Sequence, residues 1–148
     1  MIDRFERFSF TISEISRYWH KIASDVMEQH GLKGPHAVYF TTLYQHPEGV
    51  TAVKLAEICS RDKSDVSRTE SQLEQHGLIE KCTENRRNYR TPLKLTEAGR
   101  ALAERINESA KIAVENGGKG LTDEERANFY KALDMICANL RKLTTEGL

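Results

Sequence analysis

Apolar residues recur at steps of three and four through Ile12, Ile15, Tyr18, Trp19, Ile22 and Val26, which predicts a long amphipathic helix over about residues 5–29. Gly31 suits the residue after its end, because glycine takes the left-handed conformation cheaply. Gly34-Pro35 restarts the chain, and a short helix over about 35–45 carries Val38, Phe40, Leu43 and Tyr44 before His46-Pro47-Glu48-Gly49 breaks it. Thr51 caps a third predicted helix, 51–59, bearing Leu55, Ala56 and Ile58. Asp62 caps a fourth, 62–76, with Val66, Thr69 and Leu73 on one face, and His76-Gly77 closes it.

The period then changes. Leu78–Cys82 and Thr91–Leu95 are short and flank the polar stretch Thr83–Arg90, which predicts a hairpin with a long tip. Pro92 donates no ladder hydrogen bond, so its strand is expected at an edge. Helical period returns from Thr96 with Ala98, Leu102, Ile106, Ala110 and Ala113, then stops at Asn116-Gly117-Gly118-Lys119-Gly120. Thr122-Asp-Glu-Glu125 is a capping box opening a last helix, 122–144, with an apolar seam at Phe129, Leu133, Ile136, Leu140 and Leu143. The expected fold is mainly α with a small β-hairpin wing.

A chain of 148 residues fits one domain. No apolar run reaches the roughly 20 residues of a membrane span, and MIDRFERFSF lacks the apolar stretch of a signal peptide, so a cytoplasmic protein is expected. Lys plus Arg equals Asp plus Glu at 22 each, so any attraction to nucleic acid must be local. Cys59, Cys82 and Cys137 form no C-x-x-C pair, and the five histidines lack zinc-type spacing. With no glycine-rich phosphate loop and no G-x-S-x-G, neither enzyme chemistry nor a metal or other cofactor is expected.

Helix 51–59, a short turn, helix 62–76 and the hairpin together spell a winged helix-turn-helix, whose second helix enters the DNA major groove. With Val66 and Leu73 inward, residues at 100° intervals put Ser64, Arg68, Ser71 and Gln75 on the opposite face and Ser67 on its flank. Serine hydroxyls bond phosphates or bases, and arginine contacts guanine bidentately. The first turns of such a helix go deepest, which selects Lys63, Ser64, Ser67 and Arg68; Asp65, Glu70 and Glu74 keep the rest away from phosphate. Between Lys81 and Arg100 six cations face two anions, a local excess of four. Arg86, Arg87 and Arg90 at the hairpin tip suit phosphate neutralisation or minor-groove insertion.

Four motifs now stand in order: Thr51-x-x-x-Leu55-Ala56, Asp62-Lys63-Ser64-x-x-Ser67-Arg68, Leu73-Glu74-x-x-Gly77-Leu78-Ile79 and Leu95-Thr96-Glu97-x-Gly99. In this order and spacing the chain resembles the multiple-antibiotic-resistance regulator (MarR) family of bacterial transcription factors over nearly its whole length. The resemblance implies a single domain, 1–148, with a DNA-binding lobe over 35–99 that includes Thr51. Helical dimerisation regions are implied over 1–32 and 100–148. It also implies a homodimeric repressor on double-stranded DNA, nucleoid-associated when bound, with a ligand pocket or redox cysteine that changes the spacing of the two lobes. One departure stands out: the family's Asp-x-Arg at the wing tip reads Arg87-Asn88-Tyr89 here.

Phe5, Phe8, Leu133, Ile136 and Leu140 have no obvious partner inside a winged helix and are expected at the dimer interface. Tyr18, Trp19, His36, Tyr39 and Phe40 are candidates to line a pocket for a small aromatic effector. Cys59, near Arg61 and Lys63, is the candidate redox sensor. The competing reading is a winged helix kept as a protein-interaction or dimerisation scaffold without a DNA site.

Overall fold

The computed structural model describes residues 3–82 and 91–148. Six α-helices are present among them: α1 (Arg4–Glu28), α2 (Ala37–Tyr44), α3 (Ala52–Cys59), α4 (Lys63–Gln75), α5 (Glu97–Gly117) and α6 (Asp123–Glu146). Strands β1 (Ile79–Lys81) and β2 (Leu93–Leu95) pair antiparallel, Ile79 with Leu95 and Lys81 with Leu93. A 3-10 turn at Gly34–His36 leads into α2. The chain divides into two compact units, residues 1–111 and 112–148.

The predicted caps form. Thr51 Oγ1 accepts from the Lys54 amide at 3.2 Å, and Asp62 Oδ1 from the Asp65 amide at 2.7 Å. Thr122 and Glu125 close a reciprocal capping box at the start of α6. Gly31 and Gly77 take positive φ after α1 and α4, and Leu32 and Leu78 each send an amide hydrogen bond five residues back across them.

The core lies in the first unit. Met27, Tyr39, Phe40, Leu43, Val66, Leu73 and Leu93 are essentially inaccessible, and each such side chain stabilises the fold by about 1.5–3 kcal/mol. The core side chains come from α1's last turns, α2, α3, α4, the hairpin and α5, with Leu32 and Val50 added from the connections. The N-terminal part of α1 is different: Phe5, Phe8, Ile12, Ile15 and Tyr18 are exposed. Tyr39 and Phe40, expected to line an effector pocket, are instead core residues that hold α2 against its neighbours.

β2 is an edge of the two-stranded sheet, with its outer side bridged at one residue. Leu93 exchanges two 2.8 Å backbone hydrogen bonds with Val50 on the side away from β1. Pro92 is tolerated because it stands just before β2, where its carbonyl accepts from the Cys82 amide at 2.9 Å and ends the ladder.

The Leu95-Thr96-Glu97-x-Gly99 motif has a structural reason. Thr96 Oγ1 donates to the Gly77 carbonyl at 2.6 Å and accepts from the Gly99 amide at 3.1 Å, so one hydroxyl ties the end of α4 to the start of α5. The Thr96 amide donates to the Leu78 carbonyl at 3.1 Å, and that carbonyl lies where a side chain on residue 99 would have to sit.

Candidate nucleic-acid interface

α3 and α4 pack as a helix-turn-helix, with the turn made by Ser60 in the left-handed conformation at φ 52°. Val66, Thr69 and Leu73 of α4 are buried. Lys63, Ser64, Ser67, Arg68, Ser71 and Gln75 are exposed, as the 100° placement requires. Ser71 Oγ donates to the Ser67 carbonyl at 3.1 Å, whereas Ser64, Ser67 and Arg68 have no side-chain partner among the described residues. The face is thus small, donor-rich and open. Thr51 is half-buried at the start of α3, its hydroxyl already engaged as a cap.

Two of the three acids of α4, Asp65 and Glu70, are engaged by neighbouring elements, while Glu74 is exposed. Asp65 accepts from the buried Tyr39 hydroxyl at 2.6 Å, which pins the first turn of α4 to α2. Burial, reinforced by that hydrogen bond, pushes the Tyr39 phenol well above the ordinary tyrosine range, so it remains a donor. Glu70 pairs with Lys81 at 3.3 Å in a poorly exposed position, joining α4 to β1. Spacing along the chain gave no sign of either link, because both partners come from different elements.

Three cations counted in the wing's local excess have carboxylate partners. Lys81 meets Glu70, Lys94 meets Glu80 across the strands at 3.8 Å, and Arg100 meets Glu104 at 3.7 Å while stacking over the Tyr44 ring. Arg86, Arg87 and Arg90 carry the remaining cationic reading and lie outside the described residues.

The effector candidates separate. Trp19 lines a cavity of about 440 Å³ together with His20, Ser24, Pro35, Thr41 and Arg61. Tyr18 is exposed with its hydroxyl donating to Glu14 at 3.0 Å, and Tyr39 and Phe40 are in the core. His36 sits edge-on to Tyr39 and 3.5 Å from Thr69 Oγ1, and burial lowers its pKa. Arg61, absent from the candidates, is the cavity's cation; it follows the Ser60 turn, a bend that local spacing does not reveal.

Cys59 does not suit redox sensing. Its thiol is buried 3.6 Å from Thr42 Oγ1, and burial pushes its pKa up despite that hydroxyl and Arg61. Cys82 is half-buried and Cys137 exposed. Among the described residues no His, Cys, Asp and Glu grouping could hold a metal ion, and no helix is long and apolar enough to cross a membrane.

No family model matches the sequence. A curated relative, the uncharacterized HTH-type transcriptional regulator YybA of Bacillus subtilis, is 25% identical over 105 residues, 71% of this chain and 69% of its own. A MarR transcriptional regulator from Methanosarcina mazei superposes with a TM-score of 0.81 at 21% identity, covering 97% of this chain and 94% of its own. A Listeria monocytogenes protein assigned to the MarR family, complexed with 26mer DNA, gives 0.78 at 23% identity over 99% and 97%. The Staphylococcus aureus MepR–DNA complex gives 0.75 at 22% identity over 90% and 97%. The chain has the fold of the MarR-family transcriptional regulators.

Proposed function

We propose that the chain is a sequence-specific double-stranded DNA-binding transcription regulator, acting as a homodimeric repressor on a pseudo-palindromic operator. The observation that carries the reading is the exposed face of α4, where Ser64, Ser67 and Arg68 have no side-chain partner among the described residues while Asp65 and Glu70 are turned into contacts with α2 and β1. Two proteins that share the fold have been solved with DNA. Residues 35–99 are the DNA-binding lobe, and residues 1–32 and 100–148 supply the dimerisation helices. Half-sites would lie about 34–36 Å apart, one turn of B-form DNA. The role is binding rather than catalysis, in the compartment that holds the chromosome.

A ligand response fits the same reading. The cavity beside Trp19 combines an aromatic wall with Arg61, a setting for a small aromatic acid. Such a ligand shifts DNA affinity only by its differential affinity for the two lobe spacings.

Selection of bound genomic duplexes followed by fluorescence anisotropy tests the proposal. Arg68→Ala is expected to relax preference at one position of each half-site, costing about 1–3 kcal/mol there. Arg86→Ala with Arg87→Ala is expected to weaken every duplex and lower the salt slope by about one unit per lost phosphate contact. Absence of measurable duplex affinity refutes DNA binding, and an affinity unchanged by both variants and by salt overturns this mode of contact and favours the scaffold reading.

A further inference from the structure

Beside the donor face of α4 lies an apolar hollow of about 200 Å³, between α3 and α4. Ala52, Val53 and Ala56 of α3 and Val66 of α4 wall it. Val66 and the two alanines pack with the core, whereas Val53 leaves 57% of its surface in water. Lys63 and Ser67 line the same hollow and also belong to the exposed face of α4, so hollow and face form one continuous surface. Glu70 stands at its far side with its charge met by Lys81 at 3.3 Å, so this carboxylate does not confront a phosphate unneutralised.

The chemistry of the major groove supplies one fitting occupant. The donors and acceptors on the base edges suit Ser64, Ser67 and Arg68, but thymine alone adds an apolar group there, its C5-methyl. A serine hydroxyl or a guanidinium gains little from a methyl group. A hollow walled by alanine and valine gains by removing both apolar surfaces from water. Because the hollow opens beside Ser67, a base met by that serine's neighbourhood brings its methyl-bearing edge toward α3.

We propose that Val53, with Ala52 and Ala56, reads the C5-methyl of one thymine in each half-site. The inference rests on the DNA-binding reading and deepens it: α3, and not α4 alone, contributes to the choice of sequence.

The probe is the tightest duplex from the genomic selection, compared with copies in which each thymine in turn is replaced by deoxyuridine. That replacement removes the methyl and keeps every hydrogen-bonding group. In fluorescence anisotropy with the full chain, deoxyuridine at one position of a half-site is expected to weaken binding about fourfold, the effect of leaving one methyl-sized group unburied. Val53→Ala, at an exposed helical position, is expected to bring that thymine-to-uracil ratio close to unity. Its salt slope is expected to stay the same, because no phosphate contact is changed. A matching far-UV spectrum and melting midpoint show that the variant is folded. Equal affinity for all the copies, in a duplex that the chain binds, overturns the inference and leaves the DNA-binding reading standing. So does a ratio unchanged by Val53→Ala. If no selected duplex binds, the DNA-binding reading itself fails and the inference falls with it.

Discussion

At the scale of single residues, burial decides which groups can react. Cys59 sits next to Arg61 and Lys63 in the sequence, and cations lower a thiol's pKa when they act through open space. The structure puts that thiol inside the helix-turn-helix, where loss of solvent penalises the thiolate more than Arg61 favours it. Cys137 is exposed on α6, with Arg141 Nη2 at 4.0 Å from its sulfur. Alkylation with iodoacetamide at neutral pH, followed by peptide mass mapping, should therefore modify Cys137 first and leave Cys59 unmodified until the chain is denatured. Labelling of Cys59 in the folded protein at the rate of Cys137 would restore it as a redox candidate. The same inversion applies to Tyr39 and Phe40: aromatic residues on a short helix read as core more readily than as pocket walls, and their neighbours decide for the core.

At the scale of elements, what the sequence displays depends on whether the signal is local. Caps and periods are local, so Thr51, Asp62 and Thr122 open their helices where their side chains place them, and Val66, Thr69 and Leu73 face inward as 3.6-residue spacing requires. Links between elements leave no spacing signature, and so the Tyr39–Asp65 and Glu70–Lys81 contacts and the pairing of Leu93 with Val50 emerge only in the fold. Within the candidate site, the open serine and arginine face was legible because it is one side of one helix. Arg61, in the turn between α3 and α4, and Trp19, on α1, meet in a cavity, and that meeting was not. The joint between α4 and α5 combines both kinds of information. Thr96 and Gly99 stand one helical turn apart in a readable motif, yet the reason for glycine is the Leu78 carbonyl, a contact from another element. A methyl group at residue 99 has to displace backbone, not a pliable side chain. Gly99→Ala should therefore lose about 1–3 kcal/mol despite the better helix propensity of alanine. Urea unfolding reads this as a lower midpoint at unchanged slope; a stabilised variant would show that the close approach relaxes freely.

At the scale of the whole molecule, the distribution of uncovered apolar surface argues for assembly. α6 contains no buried residue, and Phe129, Leu133, Ile136, Leu140 and Leu143 follow one another at steps of four, three, four and three with 37–49% of each exposed. The start of α1 repeats the situation, with Phe5 at 72% and Phe8 at 41%. A helix in water draws most of its stability from packing its amphipathic face, so a seam of this length left wet is a poor end state for either unit. A twofold partner offers the same seam in return, and an isologous contact places its most central residue against or near its own copy. Leu133 lies close to the middle of α6, so a charge there meets its counterpart across the axis and pays desolvation on both sides. Leu133→Asp should therefore elute as a monomer on sizing chromatography at concentrations where the unsubstituted chain is dimeric. Lys131→Asp, outside the five-residue seam on the same helix, should elute as the dimer. An unchanged elution volume for Leu133→Asp would move the interface away from α6, and a monomeric unsubstituted chain would remove the twofold arrangement on which the paired half-sites rest.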